Sequence, residues 1–74
     1  MTLKELGDML CDMYQNAPHG DKVAMIHLFG VKYAEDIKAL DGSCKDIAKA
    51  AGIDDSYGTE ISKGVRLAKY VKER

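Results

Sequence analysis

The sequence predicts an all-α fold: one domain over residues 1–74, built as a compact bundle of about five short helices. Three observations carry this. Apolar residues recur at three- and four-residue spacing through most of the chain. Cap and turn residues such as Pro18, Gly20, Gly42, Ser43 and Gly52 punctuate the apolar runs. One run, Met25 to Val31, also fits a strand, but no second run offers it a partner, so helix is the consistent reading.

The first helix spans about residues 3–15. Thr2-Leu3-Lys4-Glu5 has the form of a capping box. Leu3, Leu6, Met9, Leu10 and Met13 make one apolar face, with Glu5, Asp8 and Asp12 largely opposite. Residues 15–20, with the chain's single proline, end it. Asp21 can cap a second helix. Val23, Ala24, Met25, Ile26, Leu28 and Phe29 wrap it in apolar surface, which puts it at the centre of the core, and Gly30 is expected to end it. His27, alone in this run, reads as a structural hydrogen-bond partner rather than a ligand or base. A third helix runs from near Tyr33 to Leu40, with Val31, Ala34, Ile37 and Leu40 inward.

Residues 43–64 form the most informative stretch. Ser43 caps a short helix, and Asp46 follows where a carboxylate favours the helix N-terminus. Ile47, Ala48, Ala50 and Ala51 supply a small apolar surface. Gly52 stops the helix, because glycine enters the left-handed cap conformation without strain. Ile53 folds back, Asp54, Asp55 and Ser56 supply turn and cap chemistry, and another helix starts near Ser56. Beyond it, Ile61, Val65, Ala68 and Val71 keep helical spacing, flanked by Leu67 and Tyr70. Gly64 leaves two alternatives: one helix from 57 to about 72, or a helix ended at Gly64 with a tail packed back.

This stretch resembles the helix-turn-helix of bacterial DNA-binding proteins. Ala48 fits the small residue that lets the second helix approach. Gly52 and Ile53 fit the turn, Ile47 and Ala51 the inward positions of the first helix, and Ile61 one of the second. One position departs: three residues before Ile61 the motif usually has an apolar side chain, and this chain has Gly58. The resemblance covers about a third of the chain. It implies double-stranded DNA as partner, with the second helix in the major groove. By motif position Ser56, Tyr57, Thr59, Glu60 and Lys63 would face DNA, and Lys63 and Arg66 would hold phosphates. Lys45 and Lys49 would help across the backbone. Ser and Thr hydroxyls bond bases or phosphates, and Glu60 would accept from a cytosine amino group. Tyr57 is either a core anchor or a backbone contact through its hydroxyl. Tyr33 and Tyr70 lean to the core or an interface.

Charge and composition narrow the function. A hydrophobic fraction of 46% fits a globular chain, and a core this small supplies about 3–5 kcal/mol, so a homodimer or a protein partner would add stability. Residues 1–60 hold six lysines against eleven carboxylates, a net −5, whereas residues 61–74 hold Lys63, Arg66, Lys69, Lys72 and Arg74 against Glu73, a net +4. A basic end can contact phosphates; it also suits a helix C-terminus on a solvated face. No apolar run approaches the roughly 20 residues that span a bilayer, and the acidic, helical N-terminus is no signal peptide. Cys11 and Cys44 read as reduced thiols of a cytoplasmic protein, with a disulfide between them as the alternative. No phosphate loop, zinc spacing or calcium loop is present, and nothing sets a base beside Ser43 or Cys44, so neither cofactor nor catalysis is expected. The competing function is a protein-interaction module on the same scaffold, its acidic body and basic end pairing with an oppositely patterned partner.

Overall fold

In the computed structural model, which describes residues 1–71, five α-helices follow one another: α1 (Leu3–Gln15), α2 (Lys22–Lys32), α3 (Ala34–Ala39), α4 (Cys44–Ala50) and α5 (Gly58–Leu67). A 3-10 turn, Asp55–Tyr57, leads into α5. No strand occurs among the described residues. Local chemistry explains most of the ends. Thr2 Oγ1 accepts from Glu5 N–H at 3.1 Å and Thr2 N–H donates to Glu5 Oε1 at 2.8 Å, closing the predicted capping box of α1. Ser43 and Asp46 repeat the device at α4, each bond 3.2 Å. At the far end of α4, Gly52 takes φ +78°. Its N–H donates to Lys49 C=O at 3.0 Å and Ile53 N–H donates to Ala48 C=O at 3.1 Å, a Schellman closure that turns Ile53 back onto the core.

Asp21 stands at the N-cap position of α2, but its side chain makes no capping hydrogen bond. Lys22 fixes this end instead, donating to Tyr14 C=O at 3.0 Å with its ammonium 4.5 Å from the Tyr14 ring centre.

The core is Leu6, Leu10, Ile26, Phe29, Ile47 and Ile61, all fully buried, filled out by Ile37, Ala48 and Ala51. It lies where α2 packs against α1, α3 and α5, with α4 closing on α1 and α5. The apolar faces are narrower than periodicity predicts. Leu3 and Met9 of α1 and Val23 and Ala24 of α2 are exposed, because they lie outside the surfaces that meet neighbouring helices. Tyr33 packs on the core beside Phe29, ring centres 5.3 Å apart. Tyr70, by contrast, is 82% exposed and takes no part in it.

Gly30 does not end α2. The helix continues to Lys32, and the chain bends at Tyr33, whose N–H still donates to Phe29 C=O at 3.0 Å. Gly64 likewise sits inside α5, which ends at Leu67 and passes into turns over 68–70. Neither alternative for the last helix describes it fully, and the expected helical residue 72 lies outside the described residues. The two glycines face each other where α2 crosses α5. A Cβ on Gly30 would sit 2.6 Å from Ile61 O and 2.8 Å from Gly64 Cα, and one on Gly64 would overlap the His27 carbonyl oxygen. Each glycine costs its helix about 1 kcal/mol of propensity. The contact they allow carries the central packing of the domain, and packing decides.

Gly64→Ala should therefore destabilise the domain by about 1–3 kcal/mol through forced overlap. Gly42→Ala, whose added Cβ would meet nothing nearer than 3.6 Å, should stay within about 0.5 kcal/mol of wild type. Urea midpoints at constant slope compare the two directly.

Candidate functional site

The outward side of α5 is set by its inner side. Ile61 and Gly64 are buried against α2, and Gly58 is buried against α4. A Cβ on Gly58 would lie 2.8 Å from Lys45 N, so the motif's unusual glycine lets the start of α5 press on the first turn of α4. The stripe opposite, at three- and four-residue spacing, is Thr59, Ser62, Lys63 and Arg66, all exposed. It forms one wall of an open groove of about 660 Å³. Ser43, Cys44 and Lys45 at the start of α4 form the other wall, and Asp55 and Ser56 close one end.

Of the residues singled out from the sequence, Lys45, Ser56, Thr59, Lys63 and Arg66 come together in this groove. Lys49 is exposed one turn along α4 from Lys45, outside it. Tyr57 turns inward: it packs on the core, with its ring 5.9 Å from that of Tyr14. The neighbouring Tyr14 hydroxyl is the main cause that holds the Tyr57 phenol above its usual range. Glu60 sits on the flank of α5 nearest α2. His27 Nε2 donates to its Oε1 at 2.7 Å, and Lys63 Nζ donates to its Oε2 at 3.3 Å. The His27 bond is the main cause that depresses the Glu60 carboxyl, with Lys63 adding to it. His27 is thus the structural partner its sequence context predicts, and Glu60 is the residue it holds.

Ser62 belongs to the groove and was passed over by motif position. Its spacing from Thr59 and Arg66 is the signal that finds it. Ser43 is there too, although its hydroxyl is committed to the cap.

The carboxylates around the groove are each occupied. Asp54 Oδ1 accepts from Ser56 N–H at 2.9 Å, which lowers the Asp54 carboxyl. Asp55 Oδ2 lies 3.7 Å from Lys45 Nζ. Among the described residues Arg66 has no acidic partner. The groove therefore presents Lys45, Lys63 and Arg66 against Asp55 alone, with hydroxyls between them. Both cysteines are free thiols, and partial burial pushes Cys44 upward, away from the thiolate that would make it a nucleophile. No trio of His, Cys, Asp or Glu among the described residues is arranged to hold a metal ion. No described helix is long and apolar enough to cross a membrane.

Comparison with known families adds one finding. A family described as an HTH-like domain matches residues 2–74, nearly the whole chain rather than the 43–64 stretch alone. No curated protein and no solved structure matches.

The Glu60 carboxylate gives stability that is fully present above the ordinary glutamate value of about 4.3. That stability is lost as pH falls through its depressed folded-state value. Glu60→Gln should remove this part, so its Tm should fall less steeply than wild type on going from neutral to acidic pH. Parallel Tm profiles by circular dichroism would show that the His27–Glu60 bond contributes nothing.

Proposed function

Because the chain belongs to the HTH-like domain family, we propose that it is a DNA-binding domain whose α5 enters the major groove. The observation that carries this reading is the outward stripe of α5. Thr59 and Ser62 offer neutral hydroxyls to base edges, and Lys63 and Arg66 follow one turn further on to meet phosphates. Lys45 and Lys49, spaced one turn apart on α4, extend the cationic track across the backbone. Ser56 adds a hydroxyl or backbone contact at the entry end. On this reading Glu60 and Tyr57 are supports rather than readers: one is tied to α2 by His27 and the other to α1 by Tyr14. The Asp54, Asp55 and Glu60 carboxylates repel phosphate less than their number implies, since each has a donor or a cation beside it.

A few cations on a short helix give modest affinity, and sequence discrimination by two hydroxyls is weak. The domain therefore acts as a regulatory or accessory module of a larger assembly in a bacterial cytoplasm, without catalysis of its own. A protein-interaction role is the second reading. It is favoured by Leu67 and Tyr70, exposed just beyond the groove.

Fluorescence anisotropy with a mixed-sequence duplex tests the first reading. Wild type should bind at low salt, with log affinity falling linearly in log salt. Lys63→Ala with Arg66→Ala should lower that slope by about 2, one for each phosphate contact, and leave the helical spectrum unchanged. Thr59→Ala with Ser62→Ala should keep the slope and flatten the preference among duplex sequences. Absence of binding at low salt, or binding that Lys63→Ala and Arg66→Ala leave intact, rejects the interface.

A further inference from the structure

The proposed DNA contacts leave the ends of the charge asymmetry unused. Past the groove, Lys63 and Arg66 also border a smaller hollow of about 280 Å³ with Leu67 and Tyr70. Leu67 is 44% exposed and Tyr70 82% exposed, and the exposed Lys69 lies between them in sequence. This is an apolar shelf ringed by cations. On a different helix, α1 turns Leu6 and Leu10 into the core and shows solvent the opposite face. That face carries Glu5, Met9 and Asp12 at four- and three-residue spacing, with Asp8 beside them. Met9 is 39% exposed at its middle, and Lys4, paired to Asp8 at 2.8 Å, is the cation at its edge. It is an acidic ridge around one apolar side chain.

We propose that copies of the chain associate head to tail, the acidic ridge of α1 on one copy seating against the basic, apolar end of α5 on the next. Charge complementarity selects this occupant: the shelf needs carboxylates with an apolar residue among them, and α1 displays that combination. Tyr70 and Leu67 would cover Met9, while Lys63, Arg66 and Lys69 would face Glu5, Asp8 and Asp12. A net charge of only −1 leaves little repulsion between copies. Both patches are small, so the contact belongs with transient interfaces below about 1,200 Å². The two surfaces differ, so the contact is heterologous and extends into chains or rings rather than stopping at a symmetric dimer. Self-association and a phosphate backbone would compete for Lys63 and Arg66, although the association itself does not depend on DNA being bound.

Sedimentation equilibrium on the protein without DNA is the test. At about 0.01 M salt, where charges are felt over about 30 Å, average mass should rise with concentration. At about 1 M, where the range is about 3 Å, mass should return to the monomer. Asp8→Lys with Asp12→Lys keeps the shelf and reverses the ridge. Lys63→Glu with Arg66→Glu keeps the ridge and reverses the shelf. All four residues are exposed, and circular dichroism checks that both variants fold; Asp8→Asn with Asp12→Asn is the milder version. Each reversed variant should remain monomeric alone. Mixed, they regain opposite charge at both contacts, intact shelf on intact ridge and reversed shelf on reversed ridge, so average mass should rise again at low salt. A wild type that stays monomeric at low salt, association that survives both reversals, or a mixture that stays monomeric overturns the proposal. Wild-type monomer captured by anionic vesicles through Lys63 and Arg66, without self-association, overturns it in favour of a membrane surface.

Discussion

Two glycines set how closely this domain can close. Gly30 and Gly64 let the backbones of α2 and α5 touch, with Gly30's absent Cβ leaving room for Ile61 O and Gly64 Cα. Gly58 repeats the device between α5 and α4, and Gly7 between α1 and Ala50, where an added Cβ would stand 2.7 Å from the Ala50 Cβ. A short chain has few large side chains to bury. Close backbone approaches let Leu6, Leu10, Ile26, Phe29, Ile47 and Ile61 meet in one core. Once the inner side of α5 is pinned in this way, its rotation is fixed, and Thr59, Ser62, Lys63 and Arg66 have only the outward direction left.

The same pinning sorts the charges. With α5 held against α2, Glu60 stands on the flank within reach of His27, and its second oxygen takes Lys63. Asp54 and Asp46 spend their charge on local N–H groups. Asp55 meets Lys45 across the gap between the 3-10 turn and α4. A surface that looks mixed in sequence becomes one where cations and hydroxyls face out together. That segregation makes an anionic polymer a reasonable partner for the groove.

Beyond Lys63 the character of α5 changes from polar to apolar, and the domain gains a second contrast: a basic shelf with Leu67 and Tyr70 at one end and an acidic α1 ridge elsewhere. Neither patch is needed for the core. Both are built from surface left free once the inner faces of the helices have satisfied the packing. This is how a small scaffold carries more than one surface without loss of stability.

Where a structural choice depended on residues a few positions apart, the sequence was enough to determine it. The capping boxes at Thr2 and Ser43, the left-handed Gly52, the inward stripe of Leu6 and Leu10 and the all-α class all follow from caps and periodicity, which act within one or two turns. The groove was legible in part: the helix-turn-helix resemblance points to Thr59, Lys63 and Arg66, and helical spacing sets them away from the inward Ile61. The tertiary structure alone decided whether Gly30 ended a helix or served a crossing, because a glycine reads the same in both and only the partner helix distinguishes them. It alone turned Tyr57 to Tyr14, left Tyr70 in solvent and brought Glu60 to a histidine 33 residues away. Such contacts are chosen by the packing of whole helices, and no local pattern of residues encodes which flank of a helix will meet another.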